Sequence, residues 1–266
     1  MEPPADPLPA PLAQVARLIA VMRTLRDPVR GCEWDRAQTF ATIVPYTIEE
    51  AYEVADAVAR GDMAELKEEL GDLLLQVVFH AQMAADAGLF DLGDVAEAIA
   101  DKMERRHPHI FAGAAEAADW ESVKAAEKPR AGALSGVAAA LPALMRADKL
   151  QRRAARTGFD WPDAEGPCAK VAEELAELAA AASDDERTDE GGDLLFAVVN
   201  LIRHHGVDPE SALRAANAKF ERRFAAMEAA AGPAFAGLDL AAKEALWNAA
   251  KVAERRTPTG SDRAAG

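Results

Sequence analysis

The sequence contains few basic residues, little cysteine, few aromatic residues and no long apolar run. Its 266 residues include 45 Asp and Glu against 30 Lys and Arg, a formal net charge of −15. This acidity argues against a protein that grips a nucleic-acid polymer or an anionic membrane surface, because both need a basic face. A small anionic ligand remains compatible with the charge if a metal ion lies between it and the carboxylates.

The two cysteines, Cys32 and Cys168, stand far apart without metal-ligand spacing, so we expect reduced thiols. An apolar run near residues 73–79 is far below the roughly 18 residues that a membrane span needs. The N-terminal residues lack the basic and apolar regions of a signal peptide. We therefore expect a cytoplasmic protein with no membrane partner and with disordered tails at residues 1–11 and 257–266.

Aromatic residues make up only 6% of the chain, and the alternation typical of strands is absent. Apolar residues instead recur at helical spacing in stretches that begin at Val15, Leu70 and Leu194. The sequence therefore predicts an all-α protein of short to medium helices joined by tight turns.

Five sequence elements occur twice, in the same order. They are Gly-x-acidic-Trp at 31–34 and 158–161, Glu-Glu-x-x-Glu at 49–53 and 173–177, Glu-x-x-Asp-Leu-Leu at 69–74 and 190–195, Lys-x-Glu-Arg-Arg at 102–106 and 219–223, and a Trp, Lys, Glu spacing that starts at Trp120 and Trp247. This order predicts a tandem duplication, with repeat one at 12–129, a linker at 130–139 and repeat two at 140–256.

Each repeat carries four carboxylates in two pairs, and the members of a pair share one helix face. The sets are Glu50, Glu53, Glu69 and Asp72 in repeat one, and Glu174, Glu177, Glu190 and Asp193 in repeat two. If the two helices pack antiparallel, the carboxylates converge and repel one another, and a hard divalent cation removes that repulsion. Oxygen-only ligands favour Mg²⁺, with Mn²⁺ as a substitute, over zinc.

Other interpretations of the acidic motifs remain open. Either motif alone is usually a solvated helix face, and a non-catalytic helical protein would be expected to have lost part of one set. A di-iron bundle needs Glu-x-x-His on two helices, but Glu104 and His107 are matched in repeat two by Glu221 and Phe224.

Positive charge is also repeated, since Lys102, Arg105 and Arg106 match Lys219, Arg222 and Arg223. These side chains suit phosphate oxygens, and equally they suit salt bridges to acidic neighbours. The repeated tryptophans, Trp34 and Trp161, could stack on a base, although a buried core or hinge residue is the simpler interpretation.

Taken as a set, these motifs resemble the MazG family of nucleoside triphosphate pyrophosphohydrolases, which are all-α enzymes. The resemblance runs from about Val15 to Arg256 and includes residues 31–35 with Gln38 and Thr39, and residues 102–109. The tandem form is typical of full-length bacterial members. The sequence departs from the family pattern at Gly191, which gives two adjacent glycines in a predicted helix, each unfavourable by roughly 1 kcal/mol relative to Ala.

The resemblance implies Mg²⁺-dependent hydrolysis of nucleoside triphosphates between the α and β phosphates, to the monophosphate and pyrophosphate. It also implies acceptance of many bases, a role in cleaning the nucleotide pool, and a homodimer whose paired repeats build a four-helix active site. A narrower pyrophosphatase for dUTP or a phosphoribosyl nucleotide is the alternative within the same chemistry.

By motif match, the resemblance places the catalytic site in repeat two. The implied metal ligands are Glu174, Glu177, Glu190 and Asp193, with Glu173 supporting them and Lys219 sharing their catalytic role. The implied contacts to ATP or another nucleotide are Lys170, Glu173, Lys219, Phe220, Glu221, Arg222, Arg223 and Trp247. The carboxylates Glu50, Glu53, Glu69 and Asp72 form a second candidate site in repeat one.

Overall fold

The computed structural model of the protein describes residues 10–111 and 132–256. Within these ranges the chain forms helices and turns and no strand, which confirms the all-α prediction. No helix in the same ranges combines the length and the apolarity that a bilayer span requires. The predicted tail at 257–266, most of the tail at 1–11, and the element of Trp120, Lys124 and Glu127 lie outside the described residues.

The contacts within the chain divide it into two compact units, residues 1–129 and 130–266. Of the predicted linker, residues 132–139 are described and contain turns and bends. Both cysteines are free and exposed, so the expectation of unpaired thiols is confirmed.

Unit 1 is built around a helical hairpin. Its helices are α1 (Ala10–Leu25), α2 (Glu33–Ala37), α3 (Phe40–Arg60), α4 (Met63–Asp86), α5 (Leu92–Arg106) and α6 (Pro108–Phe111). Helix α3 ends at Gly61, whose φ of 70° suits a residue without a side chain, and Asp62 then caps α4 by accepting from the backbone N–H groups of Ala64 and Glu65. This two-residue connection makes α3 and α4 antiparallel neighbours.

The core of unit 1 lies where α1 and α3 meet α4. Met22, Ile43, Val78, Phe79 and Met83 form one buried cluster, each 5% exposed or less. Helix α4 therefore presents an apolar face to the core and, one turn away, the acidic face that carries Glu69 and Asp72.

Unit 2 repeats the hairpin. Its helices are α7 (Ala143–Ala155), α8 (Glu165–Ala180), α9 (Asp184–His204), α10 (Pro209–Ala231) and α11 (Leu240–Arg256), with a 3₁₀ turn at Gly232–Gly237. Ser183 and Glu186 form a capping box that starts α9. Helix α9 runs without interruption through Gly191 and Gly192, so packing against α8 and α7 outweighs their poor helix propensity.

Candidate active site

Three carboxylates of unit 2 converge between α8 and α9. Glu174 from α8 and Glu190 and Asp193 from α9 each offer an oxygen, and these oxygens lie within 4.8 Å of one another. The pairing of the two helices brings the motifs together, as the spacing predicts. Glu177 belongs to a neighbouring group instead, in which Glu173, Glu174 and Glu177 offer oxygens within the same distance of one another.

Glu174 is the buried centre of both groups, with 3% of its surface exposed. Its Oε1 receives a hydrogen bond from Lys170 Nζ at 2.5 Å, and Lys170 also binds Glu173 Oε1 at 2.9 Å. These two bonds raise the pKa of Lys170, so the ammonium stays charged. Glu174 Oε2 is buried and has no hydrogen-bond partner among the described residues. A buried carboxylate oxygen in this state is a ready ligand for a cation.

The electrostatics of the cluster are those of crowded negative charge. Partial burial, and then the charges of Glu177, Glu174, Asp189 and Asp193, raise the pKa of Glu190. A divalent cation would remove this repulsion, and the donors are all oxygens, which suits a hard ion such as Mg²⁺. The residues present therefore fit the metal that the sequence predicts.

A cavity of about 730 Å³ opens beside these carboxylates. Its wall includes Lys170, Glu174 and Asp193, which tie it to the cluster, and it continues along α9 to Asn200 and Arg203. Apolar and aromatic side chains supply much of the remaining wall, among them Leu150, Phe159, Trp161 and Phe196. A concave space with apolar walls and a few convergent polar groups is typical of a small-molecule site.

Unit 1 has a similar carboxylate cluster. Glu50, Glu53 and Glu69 offer oxygens within 4.8 Å of one another, while Asp72 lies outside that group. Burial raises the pKa of Glu50, with further contributions from its hydrogen bond to Glu53 and from the charge of Asp72. The buried Gln76 donates its Nε2 to Glu50 Oε1 at 3.3 Å, so here a neutral amide takes the place that the Lys170 ammonium has in unit 2.

The two repeated tryptophans are both partly exposed, Trp34 by 51% and Trp161 by 43%, so neither is a buried core residue. Trp34 packs edge-on against Tyr46 and Phe79, with ring centroids 6.1 and 6.5 Å away. Trp161 lies instead along the wall of the cavity. The alignment of α4 with α9 pairs Phe79 with Asn200, so an aromatic ring in the core of unit 1 corresponds to an amide that lines the cavity of unit 2.

The repeated basic element lies apart from the cavity. Glu254 on α11 binds Arg222 at 3.3 Å and Arg223 at 2.7 Å. Trp247 packs 5.5 Å from the Phe220 ring and 5.4 Å from the Arg223 guanidinium. Within the described residues, the salt-bridge interpretation therefore describes Arg222 and Arg223, and the cavity wall contains none of the predicted nucleotide contacts on α10 and α11, which are Lys219, Phe220, Glu221, Arg222, Arg223 and Trp247.

The sequence motifs did not identify four polar residues of the cavity wall. Gln151, Asn200 and Arg203 belong to no repeated motif, and Asp160 occurs in one only as the acidic member of Gly-x-acidic-Trp. Arg203 Nη2 donates to Asp160 Oδ1 at 2.7 Å and to Asn200 Oδ1 at 2.5 Å, which joins the α7–α8 loop to α9. Their place in the site depends on the meeting of α7, α9 and that loop.

Family models match both units. The model of the MazG nucleotide pyrophosphohydrolase domain matches residues 38–111, and the model of phosphoribosyl-ATP pyrophosphohydrolase matches residues 146–220. Each match contains one of the two carboxylate hairpins.

Curated relatives match most of the chain. A nucleoside triphosphate pyrophosphohydrolase of Escherichia coli (strain K12) is 49% identical over 258 residues, which cover 91% of this chain and 98% of the relative. A nucleoside triphosphate pyrophosphohydrolase/pyrophosphatase MazG of Thermotoga maritima is 46% identical over 215 residues, 79% of this chain and 84% of the relative. With these relatives and the domain matches, the chain belongs to the MazG family of nucleoside triphosphate pyrophosphohydrolases.

Proposed function

We propose that unit 2 hydrolyses nucleoside triphosphates between the α and β phosphates, with Mg²⁺ as cofactor and with the nucleoside monophosphate and pyrophosphate as products. The observation that carries this proposal is the buried Glu174, whose unpartnered Oε2 lies in a carboxylate cluster at the wall of a large cavity. The names of the E. coli and T. maritima relatives support the same reaction.

Glu174, Glu190 and Asp193 would hold the cation, and Glu177 lies close enough to complete the set. When bound, Mg²⁺ supplies positive charge to the phosphate oxygens and lowers the pKa of a coordinated water. Glu177 is outside the three-residue cluster, so it would hold the cation through one oxygen at most and is our candidate to accept, at its other oxygen, the proton of the attacking water. Lys170 keeps its ammonium charge beside the cluster and favours the approach of a polyphosphate.

The departing pyrophosphate needs positive charge beyond the metal. Lys219, Arg222 and Arg223 are the candidates by family resemblance, and Arg222 and Arg223 would have to exchange Glu254 for phosphate oxygens to take that role. Such an exchange would replace one charge-assisted hydrogen bond by another.

We further propose that the protein is a homodimer and that it accepts many bases. Leu175, Leu195 and Phe196 on the α8–α9 hairpin are 57%, 59% and 45% exposed, which is unusual for side chains of this size in a helical pair. A second copy that covers them would build the four-helix site expected for the family. An enzyme that accepts many bases suits removal of non-standard nucleotides from the pool.

Phosphoribosyl-ATP is a second candidate substrate, because the phosphoribosyl-ATP pyrophosphohydrolase model is the one that matches residues 146–220. The two candidates share the bond that is cut and differ in what is attached to the base. A panel that contains the common ribo- and deoxyribonucleoside triphosphates together with phosphoribosyl-ATP separates them by kcat/KM.

Pyrophosphate release with and without Mg²⁺, in wild type and in two matched variants, tests the proposal. Glu174→Gln should lower release more than about 100-fold, because removing a metal ligand costs more than the loss of a supporting residue. Glu50→Gln makes the same change in unit 1 and should leave most of the release intact. Full activity of Glu174→Gln, or release that does not need a divalent cation, would contradict the assignment.

A further inference from the structure

Glu254 is the acidic member of the repeated Trp, Lys, Glu element, and its counterpart in the sequence of repeat one is Glu127. Trp247 and Glu254 are seven residues apart, so they lie on one face of α11. Helix α11 packs against α10, which carries the repeated basic residues Lys219, Arg222 and Arg223. An acidic residue at this position needs an explanation, because it reduces the positive charge that these residues can offer to a phosphate group.

Glu254 binds two guanidinium groups at once. Its Oε2 accepts from Arg223 Nε at 2.7 Å, and Nη2 of the same guanidinium lies 2.7 Å from this oxygen. Its Oε1 accepts from Arg222 Nη2 at 3.3 Å. The hydrogen bond from Arg223 is the main cause of a lowered pKa of Glu254, so the carboxylate is ionised at neutral pH. The carboxylate therefore engages the same N–H donors that a phosphate group would engage.

The positive charge of this group of side chains exceeds its negative charge. Arg222 and Arg223 share the single carboxylate of Glu254, so one of the two positive charges is left without a matching negative charge. Lys219 lies three residues before Arg222 and four before Arg223, which places its ammonium on the same face of α10. In a chain with a net charge of −15, a local excess of positive charge favours the binding of an anion.

The two arginines differ in their exposure to solvent. The side chain of Arg223 is 17% exposed, and its guanidinium lies 5.4 Å from the centre of the Trp247 ring. The side chain of Arg222 is 61% exposed. A ligand from solvent can therefore approach Arg222 directly, and Glu254 is the group that it must displace.

The pairing of α10 with α11 has other contacts besides those of Glu254. The Phe220 ring lies 5.5 Å from the Trp247 ring, and the Phe224 ring lies 5.3 Å from the ring of Phe235 in the 3₁₀ turn. Ion pairs with an exposed member contribute little to stability. Holding the two helices together is therefore a weak reason for a carboxylate at position 254.

We propose that Glu254 is an internal competitor of the pyrophosphate end of the substrate. It holds Arg222 and Arg223 in the free protein and releases them only to a ligand that brings more negative charge than one carboxylate. The inference rests on the proposed function, which assigns these arginines to the departing pyrophosphate. The competition favours triphosphates over monophosphates, and the return of Glu254 to the arginines after hydrolysis assists the release of pyrophosphate.

Binding of the two reaction products by the full chain tests the inference. Inorganic pyrophosphate and AMP are titrated separately into wild type and Glu254→Gln, with Mg²⁺ present, and the Kd values are measured by calorimetry. Glu254→Gln keeps the size of the side chain and removes its charge. The Kd for pyrophosphate should fall about three- to tenfold, because the ligand no longer has to displace an ion pair. The Kd for AMP, which has no phosphate for the arginines, should stay unchanged.

Glu244→Gln is the matched control, because it removes an exposed carboxylate from the same helix. Glu244 lies ten residues before Glu254, about 15 Å away along the helix axis, and its change should leave both Kd values as in wild type. Glu254→Ala is a second variant, which removes every side-chain acceptor for the arginines and should lower the Kd for pyrophosphate at least as much as Glu254→Gln.

A purely structural role of Glu254 predicts the opposite sign, since arginines that have lost their support would bind pyrophosphate more weakly. The inference is overturned if the Glu254 variants bind pyrophosphate no more tightly than wild type, if AMP binding changes by the same factor, or if Glu244→Gln has the same effect.

Pyrophosphate release from ATP by wild type is measured in parallel. Absence of release would refute the proposed function, while the ratio of the Kd values for pyrophosphate in Glu254→Gln and wild type would still decide the role of Glu254. Normal release together with an unchanged Kd would leave the proposed function in place and overturn the inference alone.

Discussion

The two units carry the same carboxylate hairpin, but they use the neighbouring helix face differently. In unit 1, Phe79 is 3% exposed and belongs to the apolar core with Met22 and Ile43. In unit 2, Asn200 at the corresponding position lines a cavity of about 730 Å³. The duplicated helical pair therefore keeps its charge pattern, while the corresponding helix face packs into a core in unit 1 and lines a pocket in unit 2.

The partners of the buried glutamates differ as well. Glu50 accepts from the neutral amide of Gln76, whereas Glu174 accepts from the Lys170 ammonium. At the corresponding positions, unit 2 has Ala197 in place of Gln76 and unit 1 has Tyr46 in place of Lys170. Unit 2 therefore balances part of its buried negative charge with its own cation, whereas in the described part of unit 1 the partner of Glu50 is the neutral Gln76.

The largest effects should come from two variants, in which Phe79 and Asn200 are each replaced by the residue at the corresponding position of the other unit. Phe79→Asn removes a buried ring and puts an amide in the core, which should destabilise unit 1 by about 3–5 kcal/mol. Asn200→Phe fills part of the unit 2 cavity and removes a partner of Arg203, which should weaken binding of α,β-methylene-ATP, an analogue that cannot be cut between the α and β phosphates, more than about tenfold. Urea unfolding and calorimetry measure the two outcomes.

The controls replace each residue by one of similar size and chemistry, Phe79 by Leu and Asn200 by Asp. Phe79→Leu should destabilise unit 1 less than Phe79→Asn, and Asn200→Asp should leave the cavity open. If Asn200→Phe bound the nucleotide analogue as tightly as wild type does, the contrast between a packed core in unit 1 and a binding cavity in unit 2 would be contradicted.

Loss of the Lys170 ammonium should have an intermediate effect. Lys170→Met leaves the buried Glu174 without a cation, so the melting temperature without divalent ions should fall. Added Mg²⁺ should then raise the melting temperature of Lys170→Met more than that of wild type, because ligand binding stabilises the folded state. Tyr46→Met, at the corresponding position in unit 1, is the control, and an equal Mg²⁺ response in all three proteins would show that Lys170 does not balance the charge of Glu174.

The smallest effect concerns Asp160, whose counterpart in unit 1 is Glu33. Hydrogen bonds from Arg203, and more weakly from His204, lower the pKa of Asp160 against the effect of its partial burial. A lowered pKa means that the ionised carboxylate stabilises the fold above roughly pH 4, and that this stability is lost as the pH falls through the folded-state pKa. Asp160→Asn should therefore reduce the free energy of unfolding by about 1–2 kcal/mol at pH 7.

The difference between wild type and Asp160→Asn should shrink as the pH falls from 5 to 3, as measured by urea unfolding at each pH. The same difference at pH 3 and pH 7 would show that the Asp160 charge does not contribute. Glu33→Gln is the matched variant in unit 1, where we expect no comparable pH dependence.

The helices and the carboxylate clusters could be predicted from the sequence because both depend on local spacing. Glu190 and Asp193 share a helix face by their separation alone, and the short connection from α8 to α9 places them against Glu174. The motif does not reveal that Glu177 groups with Glu173 rather than with Asp193, since that depends on side-chain orientation within α8.

The rest of the site could not be predicted because its residues come from helices that meet only in the folded unit. In the sequence, Gln151 and Asn200 cannot be told apart from other polar residues. In the fold both are buried at the cavity wall, and hydrogen bonds to Phe196 and Arg203 fix the orientation of their side-chain amides. The repetition of Trp34 as Trp161 marks this residue in the sequence. Its place along the cavity wall could not be predicted, because it depends on where α8 begins.

The contact between Gly166 and Trp161 has a consequence for how the pocket can change. Every other amino acid at position 166 brings a Cβ atom into the space of the indole, so a single codon change would push the ring aside and reshape the wall. None of the carboxylates would be touched. For laboratory evolution of substrate range, position 166 is therefore a natural first position to randomise, since it alters the shape of the pocket while the hydrolytic machinery is preserved.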